Sequence, residues 1–442
     1  MLILLRVSHL PDFSRRTTPV RRRVLIKTSR DGYLATTPHG EATGAAVLRE
    51  LVDDPLCVAV YQAIRLVTSW FLQPPQQRSD LLDPLTVEAL LPRIAGEDPF
   101  RDGDPRGALV CILGELTASE PDLRRIALSC LAVADWALSQ SAIDTALSFA
   151  RAAALIGASA RYAWVTGRLH REHSRAQQAE IWFQVAYVLA ERERDWDIRA
   201  RSLTSWGHVH LNVGRYFTAR DLFQRALSTA QRFQLGDREV EAHHYLFTVA
   251  RAVSDHAGAM EHSAAAAREY GPDHPRLPYF AHDLACYWMD RGDYQHALEV
   301  LLALLDNHFA DVPDERLLVR GSSLRAAGGC GRPDVFERLL PAVLDHQRAS
   351  DSPWVAQALF MAARGAASLK RWDVAETLLV SAIESARSTN QNDTRLSAED
   401  LLAQVRTESH TELLAVYEPA NVEVARSTVR ALVASSASME SA

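Results

Sequence analysis

The sequence repeats itself at a period of 38 to 40 residues between positions 159 and 386. A column of small residues with one aromatic exception marks the period: Ala179, Ala219, Ala259, Ala297, Phe336 and Ala375. Four positions later stand Phe183, Phe223, Ser263, Leu301, Leu340 and Leu379. Because positions four apart share one face of an α-helix, the two columns describe the same helix face repeatedly. The pattern predicts a helical repeat array, in which each unit buries its apolar face against its neighbours.

The composition fits a protein that folds in water. Of the 442 residues, 48% are hydrophobic and 23% are charged, which is ordinary for a globular chain. No apolar run approaches the roughly 18 residues that a membrane span requires, and the apolar start is too short for a signal peptide. Five cysteines without a Cys-x-x-Cys pair favour neither a disulfide framework nor a zinc site. We expect a cytoplasmic protein with no membrane partner.

Positive charge is concentrated at the N-terminus. Residues 1–30 hold eight basic groups and one acidic group, Asp12, which gives them a net charge of +7. Because the whole chain has a net charge of −7, the remaining residues carry −14. Such an arm could contact nucleic acid or an acidic surface, or resemble an organelle leader. It could equally be a disordered leader or the result of a misassigned start, since it has no interleaved aromatic residues and no helix-turn-helix pattern follows it.

Apolar periodicity and loop signals divide the chain into four parts, and no credible strand interrupts the helices. We expect helices over 45–52, 56–71, 84–94, 397–408 and 422–434, and a helix start at Ser119, whose hydroxyl would cap it. The predicted parts are an irregular basic arm at 1–40, a helical region at 41–118, the repeat array at 119–386, and capping helices with a disordered tail at 387–442.

One repeat carries enough detail to suggest a family. Gly207 stands in its first helix, Gly214-Arg215-Tyr216 at its turn, and Ala219, Phe223 and Ala226 along its second helix. This unit resembles the tetratricopeptide repeat, and the long period resembles the variant found in bacterial signal-sensing regulators. The resemblance implies an all-α, right-handed superhelical solenoid of antiparallel helix pairs. Two units depart from the pattern, with Phe247 in place of the glycine and Phe336 in place of the alanine.

The resemblance also implies where a ligand would bind, because in this family the first helix of each pair lines a concave groove. From those columns and the turn beyond them we predict the binding residues Trp164, Arg168, Arg171, Thr204, His208, Asn212, His244, Arg251, His282, Arg325 and Arg364. This lining is rich in Arg and His and suits an acidic peptide, since guanidinium groups pair with carboxylates. For any single arginine, a solvated helix surface is an equally good interpretation.

The sequence offers no sign of catalysis, metal binding or a cofactor. No phosphate-binding loop, dinucleotide fingerprint, His-Glu-x-x-His motif or nucleophile elbow occurs. The three column histidines lie in different helices without a carboxylate companion, so a metal site is not predicted.

Two functions remain open from the sequence. The first is a non-enzymatic scaffold or adaptor that binds a protein or peptide segment on the concave face. The alternative is the peptide-sensing domain of a transcriptional regulator, which would contact nucleic acid through its N-terminal region. Self-association through the outer face or the terminal helices is a third use of such an array.

Overall fold

The computed structural model of the protein describes residues 44–74, 77–78, 87, 94, 104–173, 175–271, 274–310, 312–349, 352, 354–389, 391–409 and 426–432. The predicted basic arm, nearly all of the helix predicted over 84–94 and the predicted disordered tail lie outside these residues. Within the described ranges every regular element is a helix, which confirms the predicted all-α class. None of these helices is long and apolar enough to cross a membrane.

The described residues form two compact units, which divide between Tyr245 and Leu246. The first unit contains α1 (Ala45–Glu50), α2 (Cys57–Leu72), α3 (Arg106–Thr117), α4 (Leu123–Ser139), α5 (Ile143–Gly157), α6 (Ala160–Glu172), α7 (Ala176–Glu193), α8 (Trp196–Asn212) and α9 (Tyr216–Phe233). The unit boundary falls within α10 (Gly236–Ala252). The second unit continues with α11 (His256–Glu269), α12 (Leu277–Asp290), α13 (Tyr294–Asn307), α14 (Pro313–Gly329), α15 (Pro333–Ala349), α16 (Val355–Ser368), α17 (Trp372–Ser388) and α18 (Asn392–Arg406).

Three residues join the helices of each pair from α6–α7 to α16–α17. A connection this short makes the two helices antiparallel neighbours. The second residue of the turn has a positive φ at Gly214, Ser254, Gly292, Gly331 and Lys370, with values between 57° and 77°. Glycine adopts this conformation without the steric cost that a side chain brings, which explains the glycine in the Gly-x-Tyr pattern at the turn.

Small residues allow the two helices of a pair to approach closely. Ala179 and Ala219 are fully buried in α7 and α9. A Cβ added to Gly207 would lie 2.5 Å from the ring of Phe223, and one added to Gly167 would lie 2.7 Å from the ring of Phe183. The rings therefore occupy the space that a side chain on the first helix would need. This packing confirms the predicted resemblance to tetratricopeptide repeats at the level of the helix pair.

Glycine also brings two first helices of the second unit into backbone contact. A Cβ on Gly328 of α14 would overlap the backbone of Gly365 in α16, and a Cβ on Gly365 would overlap the carbonyl group of Leu324. Gly321 meets Ala358 in the same way, with its added Cβ 2.7 Å from the Cα of that residue. The backbones of α14 and α16 are therefore in close contact at three glycines, Gly321, Gly328 and Gly365.

The N-terminal helices share a core with the start of the array. Ile64 of α2, Ile112 of α3, Cys130 of α4 and Phe149 of α5 are all buried in one apolar cluster. The cluster also includes Tyr162 and Leu169, so α6 packs directly on this apolar layer.

Two helix starts differ from the sequence-based expectation by three residues or more. The cap of α4 is Asp122, not Ser119, because the Asp122 carboxylate accepts the backbone N–H groups of Arg124 at 2.9 Å and Arg125 at 3.1 Å. The helix predicted to begin at position 397 begins at Asn392, and an i,i+4 ion pair between Arg395 and Glu399 at 2.9 Å stabilises its first turns.

Candidate functional site

The sequence-predicted residues of the first unit lie on the first helices α6, α8 and α10 of three successive pairs. We call this set the first-helix face of unit 1, and it consists of Trp164, Arg168, Arg171, Thr204, His208, Asn212 and His244. Burial divides the set. Thr204 and His244 are each only 4% exposed, whereas Asn212 is exposed and the other four are partly exposed. Thr204 and His244 therefore belong to the packed base of the face, and the others remain available at its surface.

An aromatic and cationic cluster occupies one end of this face. The Trp164 Nε1 donates a hydrogen bond to the Ser205 Oγ at 3.0 Å, which fixes the indole against α8. The guanidinium carbons of Arg168 and Arg201 lie 5.8 and 5.5 Å from the centroid of the Trp164 ring. At these distances the ring attracts both cations. Arg201 is also held by Asp197 at 2.7 Å.

A second group of contacts continues the face across α8 to α10. Arg171 Nη1 lies 3.4 Å from His208 Nδ1, and the His208 ring lies 5.4 Å from the Tyr245 ring. Tyr245 in turn stacks on Phe223 at 5.1 Å, which anchors it to the second-helix layer. Glu172 is the acidic neighbour of both arginines of α6, at 3.7 Å from Arg168 and 3.8 Å from Arg171. These distances exceed those of a hydrogen-bonded pair, so Glu172 holds both arginines loosely.

The second unit pairs its predicted arginines much more tightly. Asp290 of α12 accepts from Arg251 Nη2 at 2.8 Å and from Arg325 Nη1 at 2.9 Å. Burial alone would raise the pKa of Asp290, but the charges of Arg251 and Arg325 and their hydrogen bonds hold it below its usual value. Arg325 is 2% exposed and also donates to the Met289 carbonyl at 3.3 Å. A ligand could reach Arg325 only by displacing the side chains around it.

The remaining predicted residues of the second unit are His282 and Arg364. His282 lies between Ser322 of α14, whose Oγ is 3.0 Å from His282 Nε2, and Cys286 one turn further along α12, whose Sγ is 3.8 Å from the same atom. Arg364 is partly exposed on α16. The described residues contain no group of three or more His, Cys, Asp or Glu side chains arranged to hold a metal ion.

The contacts link predicted residues to partners on a neighbouring first helix, and among these partners only His208 was itself predicted. They are Ser205 for Trp164, His208 for Arg171, Asp290 for Arg251, Ser322 for His282 and Asp290 for Arg325, at separations of 41, 37, 39, 40 and 35 residues. Each separation is close to one repeat period. A search for polar residues one period apart on the first helices would therefore have found Ser205, Asp290 and Ser322.

Neither a protein-family model nor a curated protein matches this sequence. Solved structures do match. They include the complex of the TPR2AB domain of yeast Sti1 with pHSP90, at 12% identity over 64% of this chain and 98% of that chain, with a TM-score of 0.25. A Rap protein complexed with Competence and Sporulation Factor matches at 13% identity over 74% of this chain and 99% of its own, with a TM-score of 0.41. Aspartyl phosphate phosphatase F from Bacillus subtilis matches at 10% identity over 83% and 87%, with a TM-score of 0.33.

The class of this protein follows from its own helix pairs, since superpositions at such TM-scores do not establish a shared fold. The protein is all-α and consists of tetratricopeptide-like repeats. Its helices form antiparallel pairs with three-residue turns, and glycines of the first helix leave room for a phenylalanine ring of the second. The face of its first helices is the candidate binding site.

Proposed function

We propose that the protein is a non-enzymatic scaffold or adaptor that binds a peptide segment of a partner protein along the first-helix face of unit 1. The observation that carries the proposal is the cluster of Trp164 with Arg168 and Arg201, in which the indole is partly exposed and has two cations beside it. Tryptophan and arginine are the residues that most often dominate the free energy of protein binding.

Each part of the face would make a different contact with an extended peptide. The Trp164 ring offers a rigid apolar surface, because its hydrogen bond to Ser205 fixes its orientation before any ligand arrives. Asn212 lies exposed at the C-terminal end of α8, where its amide could hydrogen-bond the ligand backbone.

The charges favour an acidic segment. Arg168 and Arg171 share one loosely held carboxylate, Glu172, so their guanidinium groups can form closer pairs with ligand carboxylates. The corresponding arginines of the second unit, Arg251 and Arg325, already form close pairs with Asp290. We therefore place the acidic ligand on unit 1, where new ion pairs replace weaker ones.

Selection from a phage-displayed library of random 12-residue peptides tests this proposal. The full chain would be compared with the Trp164→Ala variant and with Trp354→Ala, which removes a tryptophan that is 43% exposed in the second unit. We expect the wild type and Trp354→Ala to enrich the same acidic peptides, and Trp164→Ala to enrich none of them. The proposal fails if the wild type enriches no peptides above the uncoated support, or if Trp164→Ala retains them.

A further inference from the structure

A cysteine of the second unit lies in a charged network formed by three first helices. Cys286 and His282 are four residues apart on one face of α12, with Cys286 Sγ 3.8 Å from His282 Nε2. The Ser322 Oγ of α14 is 3.0 Å from the same nitrogen and 3.9 Å from the sulfur. The thiol, the imidazole and the hydroxyl thus form a closed triangle in which each group has a partner of suitable chemistry.

The geometry allows a proton to pass from sulfur to nitrogen. When His282 is protonated, its Nε2–H can donate to Ser322 Oγ, and the Ser322 hydroxyl can donate to the sulfur. An anionic sulfur then has both a hydrogen-bond donor and a neighbouring cation. This arrangement is typical of cysteines that react as thiolates.

The charged groups around the triangle come from all three helices. They are Arg251 from α10, His282, Asp283 and Asp290 from α12, and Arg325 from α14. Burial would raise the pKa of Cys286, but His282 and Arg251 lower it overall, against the opposing charge of Asp283. Burial would lower the pKa of His282, yet Cys286 and Asp283 raise it overall. Both directions favour the same ion pair, a thiolate beside an imidazolium.

Other cysteines of the chain provide internal controls. Burial raises the pKa of Cys57 and of Cys130, and it raises that of Cys330 to about 11. Cys111 and Cys330 are both more exposed than Cys286, which is 5% exposed. Exposure alone would therefore make Cys111 and Cys330 react first, whereas the charge network would make Cys286 react first.

We propose that Cys286, paired with His282, is a thiol modification site that reacts with small disulfides to form a mixed disulfide. The Cys286 sulfur gives its proton to His282 and forms a new S–S bond with one sulfur of the small disulfide. The original S–S bond breaks, and its other sulfur leaves as a thiolate that takes up a proton from solvent. Ser322 positions the imidazole and the sulfur for this step.

The test uses the full chain and 4,4′-dithiodipyridine, a small disulfide whose released thiopyridone is followed by absorbance. At pH 6 we expect one thiol to react about tenfold faster than the rest, because its higher thiolate fraction outweighs its lower intrinsic nucleophilicity. Peptide mapping by mass spectrometry should locate the adduct on Cys286. Cys286→Ser should abolish the fast phase, and Cys330→Ser should leave it unchanged.

The role of His282 is tested separately. In His282→Gln the fast phase should slow at pH 6 and recover as the pH rises, because the thiol then ionises without an imidazolium partner. A purely structural role would instead change the rate equally at every pH. The proposal is overturned if native Cys286 reacts no faster at pH 6 than Cys111 and Cys330, or if His282→Gln leaves the pH profile of the reaction unchanged.

Discussion

Two glycines inside helices have different surroundings, and substitution by alanine distinguishes them. Gly207 faces the ring of Phe223, so an added Cβ at 2.5 Å would force that fully buried ring to move. At Gly114 in α3 an added Cβ would meet nothing within 4 Å. The first position is therefore required by packing, and the second is only a weak point in a helix.

We predict opposite effects of the two substitutions on the free energy of unfolding. Gly207→Ala should destabilise the protein by about 1–3 kcal/mol, because overpacking outweighs the gain in helix propensity. Gly114→Ala should stabilise it by about 0.5–1 kcal/mol. Urea denaturation followed by circular dichroism measures both changes. Stabilisation by Gly207→Ala would show that the ring of Phe223 does not fill this space.

Asp290 is the residue on which the charge balance of the second unit depends. It forms ion pairs both with Arg325, which is 2% exposed, and with Arg251. Removing the carboxylate leaves a buried guanidinium without its charged partner, which is costly, while an exposed pair contributes little. The pair of Asp345 and Arg348 on α15, 74% and 73% exposed, serves as the matched control.

Because the Asp290 side chain is itself 41% exposed, solvent screens part of the interaction, and we predict that Asp290→Asn lowers the free energy of unfolding by about 1 kcal/mol at neutral pH. Asp345→Asn should have no measurable effect. Because the folded pKa of Asp290 is lowered, its contribution is present above the unfolded pKa and is lost as the pH falls through the folded value. The difference in the free energy of unfolding between wild type and Asp290→Asn should therefore become smaller below about pH 4. Denaturation at a series of pH values measures it, and a difference that stays constant from pH 7 to pH 3 would contradict the ion-pair assignment.

At the scale of the helix, α14 and α16 form the contact least tolerant of change. Their glycines meet backbone atoms of the opposite helix, which cannot rotate away as a side chain can. Gly365→Ala should therefore cost about 3 kcal/mol, at the upper end of the range for overpacking, and more than Gly207→Ala. Thermal unfolding of the two variants compares them directly. A smaller effect at Gly365 than at Gly207 would contradict the close approach of α14 and α16.

Helix pairing was predictable because it depends on residues that recur in each repeat. The alanine and phenylalanine columns located α7 and α9, and Gly207 and Gly214 indicated the packing and the turn. The contact between α14 and α16 was not predicted, since Gly328 and Gly365 lie outside the columns that were compared. The boundary between units within α10 has no signal in composition, because the repeat pattern continues through it.

The site was less predictable than the fold for a physical reason. Columns show which residues share a helix face, but ion pairs and hydrogen bonds form between neighbouring first helices. Arg251 and Arg325 were predicted as ligand-binding cations, but the comparison of columns did not select Asp290, which pairs with both. The predicted binding role of the face stays a prediction, now with Arg201 added to the cluster around Trp164.

At the scale of the whole molecule, stability should be local, because each repeat contacts mainly its neighbours. Destabilisation by Gly365→Ala should therefore increase hydrogen exchange in α14 to α17 and leave α6 to α9 close to wild type. Exchange measured by mass spectrometry in native buffer tests this expectation. Equal loss of protection in both sets of helices would indicate that the chain opens as one cooperative unit.

The central claim is that the first-helix face of unit 1 binds an acidic peptide. The most direct measurement is fluorescence anisotropy of a labelled acidic 12-residue peptide from the selection, titrated with two double variants of equal net charge. Arg168→Glu with Arg171→Glu changes the face. Arg220→Glu with Arg232→Glu changes exposed arginines of the second helix α9.

We predict that the first double variant weakens binding by at least about tenfold, the equivalent of 1.4 kcal/mol. The second should bind within about twofold of wild type, since screening by salt limits the effect of distant charges. Circular dichroism should show both variants fully folded. Equal affinity of the two double variants, whether both are weakened or neither is, would contradict a binding site on this face.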